Sequence, residues 1–256
     1  MTHVAESGRF YYLDGRPAYT LTGKNGKERK TNIKDARKLG LYPSVTTIIR
    51  EAHSHGLENY KINQAVMAAL TLPHTIGETE ADWIARVRQD AKEHARIRAE
   101  EGTAIHAMIQ GGFEGQGQDN EYYLAAQREI ETVIGAQEWV CEKSFAEEAI
   151  YYADRHNIYS HGYGGKVDLH NGNYVLDIKT KEGSLDKVEL YDKHCEQLAA
   201  YQVGLGLNIR CGILFVSTTE KTAKLVMVEE EDIRRGWQMF KALLEYYYAK
   251  NKLTTN

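Results

Sequence analysis

The chain has 256 residues, of which 42% are hydrophobic, and a domain of that size hides roughly 70–75% of its unfolded surface. Its 32 basic and 36 acidic residues give a formal net charge of −4, which excludes polybasic nucleic-acid binding spread over the whole surface but allows a local basic patch. The three cysteines, Cys141, Cys195 and Cys211, form no CxxC pair; this excludes a disulfide framework and a cysteine-held zinc or iron–sulfur site, and a reducing compartment is expected.

No apolar run reaches the ~18 residues a membrane helix needs. The start, MTHVAESGRF, carries neither a basic-then-apolar leader nor an Arg-rich amphipathic helix, so the expectation is a soluble cytoplasmic protein with no membrane association. Prolines stop at Pro73 and no Pro/Ser-rich linker interrupts the chain. One continuous domain, 1–256, is therefore expected, with a hairpin and helical part over about 1–139 and an α/β core over about 140–256.

In chain order, residues 9–22 read as a hairpin turning at Asp14-Gly15. The next stretch holds Lys24, Lys27, Arg29, Lys30, Lys34, Arg37 and Lys38 against Glu28 and Asp35; it is either a nucleic-acid contact or a solvated loop. Pro43-Ser44-Val45-Thr46 leads into a short helix, since Ser and Thr cap well. Helices are predicted over 57–70, from 80 to about 110, where Gly111-Gly112 ends the pattern, and over 121–139. After residue 139 the texture changes to short alternating and β-branched runs. Three strands, a helix over about 190–204, two strands and a closing helix over 229–250 suggest an α/β sandwich with a mixed sheet.

The chemistry concentrates in residues 165–179. Asn171-Gly172 between two strand-like runs is a hairpin signal. A two-residue turn would pair His170 with Asn173 and Asp168 with Val175, so that Asp168, Val175, Asp177 and Lys179 share one face. The two aspartates are then diagonal neighbours, about 7–8 Å apart at Cα. Two acids and a lysine on one face conflict unless a cation joins them. Oxygen ligands suit Mg²⁺ or Mn²⁺, which would polarise a phosphoryl oxygen and supply a water-derived nucleophile while Lys179 adds positive charge. The competing reading is a solvent-facing strand with ordinary charges. His94, His161, His170 and His194 match no zinc spacing.

Asp168 followed by Asp177-Ile178-Lys179 resembles the signature of the PD-(D/E)XK nuclease superfamily. The chain is most similar to its RecB-like exonuclease branch, which includes the mitochondrial genome maintenance exonuclease and many phage exonucleases. Further motifs follow in the branch's order: Pro43-Ser44-Val45-Thr46, Gly102-Thr103-Ala104-Ile105-His106, Glu147-Glu148-Ala149-Ile150, Gly165-Lys166-Val167-Asp168 and Gln197-Leu198-Ala199-Ala200-Tyr201. The resemblance spans about residues 42–228.

It implies a restriction-endonuclease-like fold, a mixed β-sheet core flanked by helices with a largely helical N-terminal extension. It also implies one or two Mg²⁺ or Mn²⁺ ions held by His106, Asp168, Asp177 and the Ile178 carbonyl. Lys179 would be the catalytic lysine. Glu147, ahead of Glu148, would orient the water or a second ion, while Gln197 and Tyr201 would position the lysine, the metal site or the DNA backbone. Ser44, Thr46, Lys166, Lys27, Arg29 and Lys30 are the expected DNA contacts.

Members with an iron–sulfur cluster carry four cysteines around the core, so the resemblance is to cluster-free members. The sequence has no GxxxxGK[ST] motif, so any unwinding would fall to a partner, such as a single-strand-binding or recombination protein. The implied activity is a metal-dependent DNA exonuclease acting on single strands or ends, in recombination, repair or phage DNA metabolism. The implied setting is a bacterial or phage-infected cell. The alternative is an end-binding or recombination-partner module of the same fold with little or no cleavage.

Overall fold

The computed structural model describes residues 9–52, 55–153 and 158–253. The chain divides into two compact units, residues 1–52 with 108–256, and residues 53–107. One of the two boundaries, between residues 107 and 108, falls inside a long helix.

The larger unit opens with β1 (Phe10–Tyr11), β2 (Thr20–Thr22), β3 (Glu28–Lys30), α1 (Ile33–Leu39), β4 (Tyr42–Pro43) and α2 (Val45–Ile49). The chain does reverse at Asp14-Gly15, where Gly15 N–H donates to the Tyr12 carbonyl. The expected hairpin forms close to this turn, through the Tyr11–Pro17 bridge and the bonds from Tyr12 N–H to the Arg16 carbonyl and from Ala18 N–H to the Phe10 carbonyl; on their other sides β1 pairs with β4 and β2 with β3. The basic stretch is therefore ordered into β3 and α1. Asn32 caps α1 by accepting the Lys34 and Asp35 N–H groups.

The smaller unit holds α3 (His55–Thr71) and most of α4 (Glu80–Phe113). Trp83 Nε1 donates to the Leu72 carbonyl at 2.6 Å, and Arg86 clasps Glu78 and the Pro73 carbonyl. The turn between the two helices is thereby tied down by side chains. α4 does not stop at Gly111-Gly112 as expected but continues to Phe113. The reason is packing: a Cβ on Gly112 would lie 2.1 Å from Tyr123 Cγ. The glycine marks a close approach of the Tyr123 ring, not a helix end.

The rest of the larger unit comprises α5 (Glu121–Ile134), β5 (Val140–Ala153), β6 (Ile158–His170), β7 (Tyr174–Lys181), α6 (Asp192–Gly204), β8 (Arg210–Ser217), β9 (Ala223–Val228) and α7 (Glu230–Asn251). α5 ends short of residue 139 because Gly135 takes φ +81. The five strands form one mixed sheet in the order β5-β6-β7-β8-β9. β7 and β8 are parallel and joined through α6; the other neighbours are antiparallel. β8 (RCGILFVS) is buried at every residue after Arg210, as a central strand covered on both faces must be.

On one face, Val175, Cys211, Ile213 and Phe215 pack with Ile48 of α2, Leu198 of α6 and Phe240 and Leu244 of α7. On the other, α5 crosses β8 and β9, and Glu129 accepts the Leu225 N–H at 2.9 Å. The architecture is α/β as expected. No helix among the described residues is long and apolar enough to cross a membrane.

Candidate active site

The site is built where β6 and β7 part. Their ladder comprises Leu169↔Leu176 and His170↔Val175, so four residues, not two, separate the paired ends. Asn171 causes the difference. Its Oδ1 accepts the Asn173 and Tyr174 N–H groups, both at 2.8 Å, and its N–H donates to the Tyr174 carbonyl. The asparagine side chain thus builds a wider turn than Asn-Gly alone would make. The register moves by two residues, which preserves side-chain parity. Continuing it would set Asp168 across from Asp177 rather than diagonal to it, but the ladder ends at Leu169.

At that position a side chain replaces the backbone ladder, because Asp168 Oδ2 accepts the Ile178 N–H at 2.8 Å. β5 shows the matching distortion. Its register runs Cys141↔Leu169 and Lys143↔Val167, so Glu142 lies across from Asp168. Glu142 has φ +54, a left-handed conformation that costs a non-glycine residue on the order of 1–3 kcal/mol. Its carboxylate is paired with Lys166 of β6. Period two would keep Val167 and Leu169 on one face. Instead Leu169 pairs with Leu176, while Val167 joins the cluster around Val175 and Ile213. The β5–β6 ribbon changes face at Glu142 and Asp168, and this turn carries the Asp168 carboxylate against β7.

α6 lies over this break. Asp177 is 2% exposed. Its Oδ1 accepts from Gln197 Nε2 at 2.7 Å, and Lys179 Nζ lies 2.7 Å from its Oδ2. Gln197 Oε1 in turn accepts from Lys179 Nζ at 3.0 Å, and its Nε2 also donates to Tyr201 Oη at 2.8 Å. Gln197 and Tyr201 stand at i and i+4 on α6 and so share a face. Tyr201 is buried with its ring edge-on to Phe145. Burial first, then the Asp177 and Asp168 charges, hold its hydroxyl protonated well above its ordinary range.

His194, one turn earlier on α6, completes the row. Its Nδ1 accepts the Tyr191 N–H at 3.2 Å and its ring meets Phe215, the strand partner of Lys179. Burial, reinforced by the Lys179 ammonium and opposed by Asp177, pushes His194 down to about 4.

No family model matches the chain, and no curated protein matches it. Among solved structures, the chain is similar to a protein provisionally named an exonuclease from Eubacterium rectale, at 11% identity and a TM-score of 0.41, covering 79% of this chain and 88% of that one. It is also similar to a protein called SSO0001, at 13% identity and a TM-score of 0.32, covering 74% of this chain and 87% of that one.

Of the residues singled out from sequence, Asp168, Asp177, Ile178, Lys179, Gln197 and Tyr201 come together. Glu147 does not join them. It pairs with Tyr163, five residues along β6 from Asp168 and hence about 16 Å away at ~3.3 Å per residue. The Glu148 side chain lies outside the described residues. His106 is carried by α4 in the 53–107 unit. Ser44 is buried as the cap of α2, its Oγ accepting the Thr47 N–H, and Thr46 Oγ1 lies 3.2 Å from it. Lys166 is held by Glu142 and Arg29 by Asp35, the latter through two bonds of 2.6 and 2.7 Å. Lys27 and Lys30 are exposed.

Sequence reading missed Glu142 and His194. Nothing in a single sequence marks a positive φ at a glutamate. His194 was legible as i−3 from Gln197, on the same helix face.

The donor set fits a hard cation in part. Asp177 carries a buried carboxylate whose Oδ2 faces the Lys179 ammonium at 2.7 Å, and Asp168 adds a second carboxylate beside it. No group of three His, Cys, Asp or Glu side chains suited to a metal gathers among the described residues. A cleft of about 400 Å³ between the end of α4, α5 and residues 137–139 contains none of the site residues.

Proposed function

We propose that this protein is a metal-dependent deoxyribonuclease that hydrolyses phosphodiester bonds from DNA ends or along single strands. The observation that carries the reading is the convergence of Asp168 and Asp177 at the point where β6 and β7 part, with Lys179 against Asp177 and Gln197 bridging that pair. Asp168, Asp177 and the Ile178 carbonyl would hold Mg²⁺ or Mn²⁺. The ion would supply Lewis acidity at the scissile phosphate. Lys179 brings a positive charge to the place where the attacked phosphate gains negative charge, an effect worth about 10²–10³ in rate for one well-placed group. Gln197 holds Lys179 and Asp177 in fixed relation, so neither reorganises as charge develops.

The test is cleavage of end-labelled single- and double-stranded DNA with Mg²⁺ or Mn²⁺. Wild type should release nucleotides, and Asp177→Asn, which conserves volume and removes the charge, should lower the rate by about a hundredfold or more. DNA binding without cleavage by wild type would assign an end-binding module instead.

A further inference from the structure

His194 is the remaining polar side chain of the α6 row, and its geometry leaves one edge of the ring uncommitted to the fold. Nδ1 accepts the Tyr191 N–H, so the ring proton of the neutral imidazole sits on Nε2, at the far side of the ring. The ring is half-buried and braced by Phe215 at 5.8 Å between centroids. Phe215 is the β8 partner of Lys179, which brings the His194 ring to the lysine's place on the sheet. The groups facing it are Lys179 and Asp177. Burial first, and then the neighbouring ammonium, oppose a second ring proton against the pull of Asp177, so the imidazole is a neutral donor.

We propose that His194 binds the substrate, donating from Nε2 to a phosphate oxygen of the nucleic-acid strand beside Lys179. This rests on the nuclease reading and deepens it. A neutral donor suits a position next to a fixed ammonium, because a second full charge would repel the first. It also gives the strand a directional contact where Lys179 alone gives a point charge. His194 is thus a binding residue whose effect belongs to strand affinity rather than to the chemical step.

Two conservative variants separate this role from the helix cap. His194→Asn keeps an oxygen where Nδ1 accepts the Tyr191 N–H but has nothing at the Nε2 position. His194→Gln extends an amide donor to the Nε2 position and gives up the cap. Affinity for a fluorescent single-stranded oligonucleotide is measured by anisotropy in EDTA, so that no metal enters, alongside steady-state cleavage with Mn²⁺. His194→Asn should weaken binding and raise KM about tenfold or more, the usual size of one hydrogen bond to a charged group, with kcat within about threefold. His194→Gln should bind within about twofold of wild type.

Wild-type affinity in His194→Asn, or equal losses in both variants, would overturn the assignment while leaving the nuclease reading in place. Loss of kcat and of Mn²⁺ binding in His194→Asn would make the residue a ligand instead. Wild type that neither binds nor cleaves DNA would overturn both.

Discussion

Gln197 uses both ends of its amide at once, which explains why a neutral residue sits between an acid, a lysine and a tyrosine. Its nitrogen donates to Asp177 and Tyr201 and its oxygen accepts from Lys179; turning the amide over would set its oxygen against the aspartate. Gln197→Ala leaves the buried Asp177 and Tyr201 oxygens without their donor, and such groups cost about 1–3 kcal/mol each. The variant should lose about 2–3 kcal/mol in urea unfolding and at least tenfold in cleavage. An unchanged urea midpoint would show that the amide holds nothing in place. The Gln-x-x-x-Tyr spacing made the shared helix face legible in the sequence. Its partners were not, because spacing says nothing of which strand lies beneath.

α6 is packed so closely that one of its acids is denied water. A Cβ on Gly236 of α7 would lie 2.5 Å from the Cys195 carbonyl oxygen, so the two helices meet backbone to backbone. Glu196 is caught in that contact at 3% exposure, its Oε2 without a hydrogen bond among the described residues. Burial raises its carboxyl from 4.5 to about 7, with Lys193 and Arg235 opposing and Asp192 assisting. The folded state therefore binds this proton more tightly than the unfolded state. Stability from this group is fully present below about pH 4.5 and is lost as pH rises towards 7. Melting temperatures taken between about pH 5 and pH 8 should fall more steeply for wild type than for Glu196→Gln. Parallel curves would place the glutamate's proton elsewhere.

The same scale shows why the strand pairing was half legible. Asn-Gly announced a turn, but the Asn171 side chain widened it. The slip of two residues kept the acids on the same side only because side-chain parity survives an even shift. The change of face at Glu142 has no mark in the chain, since glycine, the usual signal for positive φ, is absent there.

Across the molecule, charge must be local because the total is −4. The segment from Lys24 to Lys38 is the place for it, and β3 and α1 give it a fixed shape. Arg29 is already engaged by Asp35, while Lys27 and Lys30 on either side of it are exposed. Replacing Lys27, Arg29 and Lys30 with Ala should lower the log–log salt slope of single-strand binding by about 1.4–2, at ~0.7 for each lost phosphate contact. Cleavage at saturating DNA should stay nearly constant. An unaltered slope would make the segment a solvated surface. At this scale the change of periodicity near residue 139 announced the sheet. The division of contacts at 53–107 was silent, because α4 crosses it without a proline, a linker or a change in composition.

The hydrogen bond from Ile178 to Asp168 turns a backbone amide into a reporter. Where β7 is laddered to β6 and β8, strand amides answer to peptide carbonyls, whose charge is fixed. The Ile178 proton answers to a carboxylate whose charge density changes whenever a cation or a proton arrives. In a nitrogen-labelled sample its resonance should therefore lie downfield of its strand neighbours and move when Mg²⁺ is added. It should collapse towards them in Asp168→Asn, so that one cross-peak reads the state of the site without any substrate.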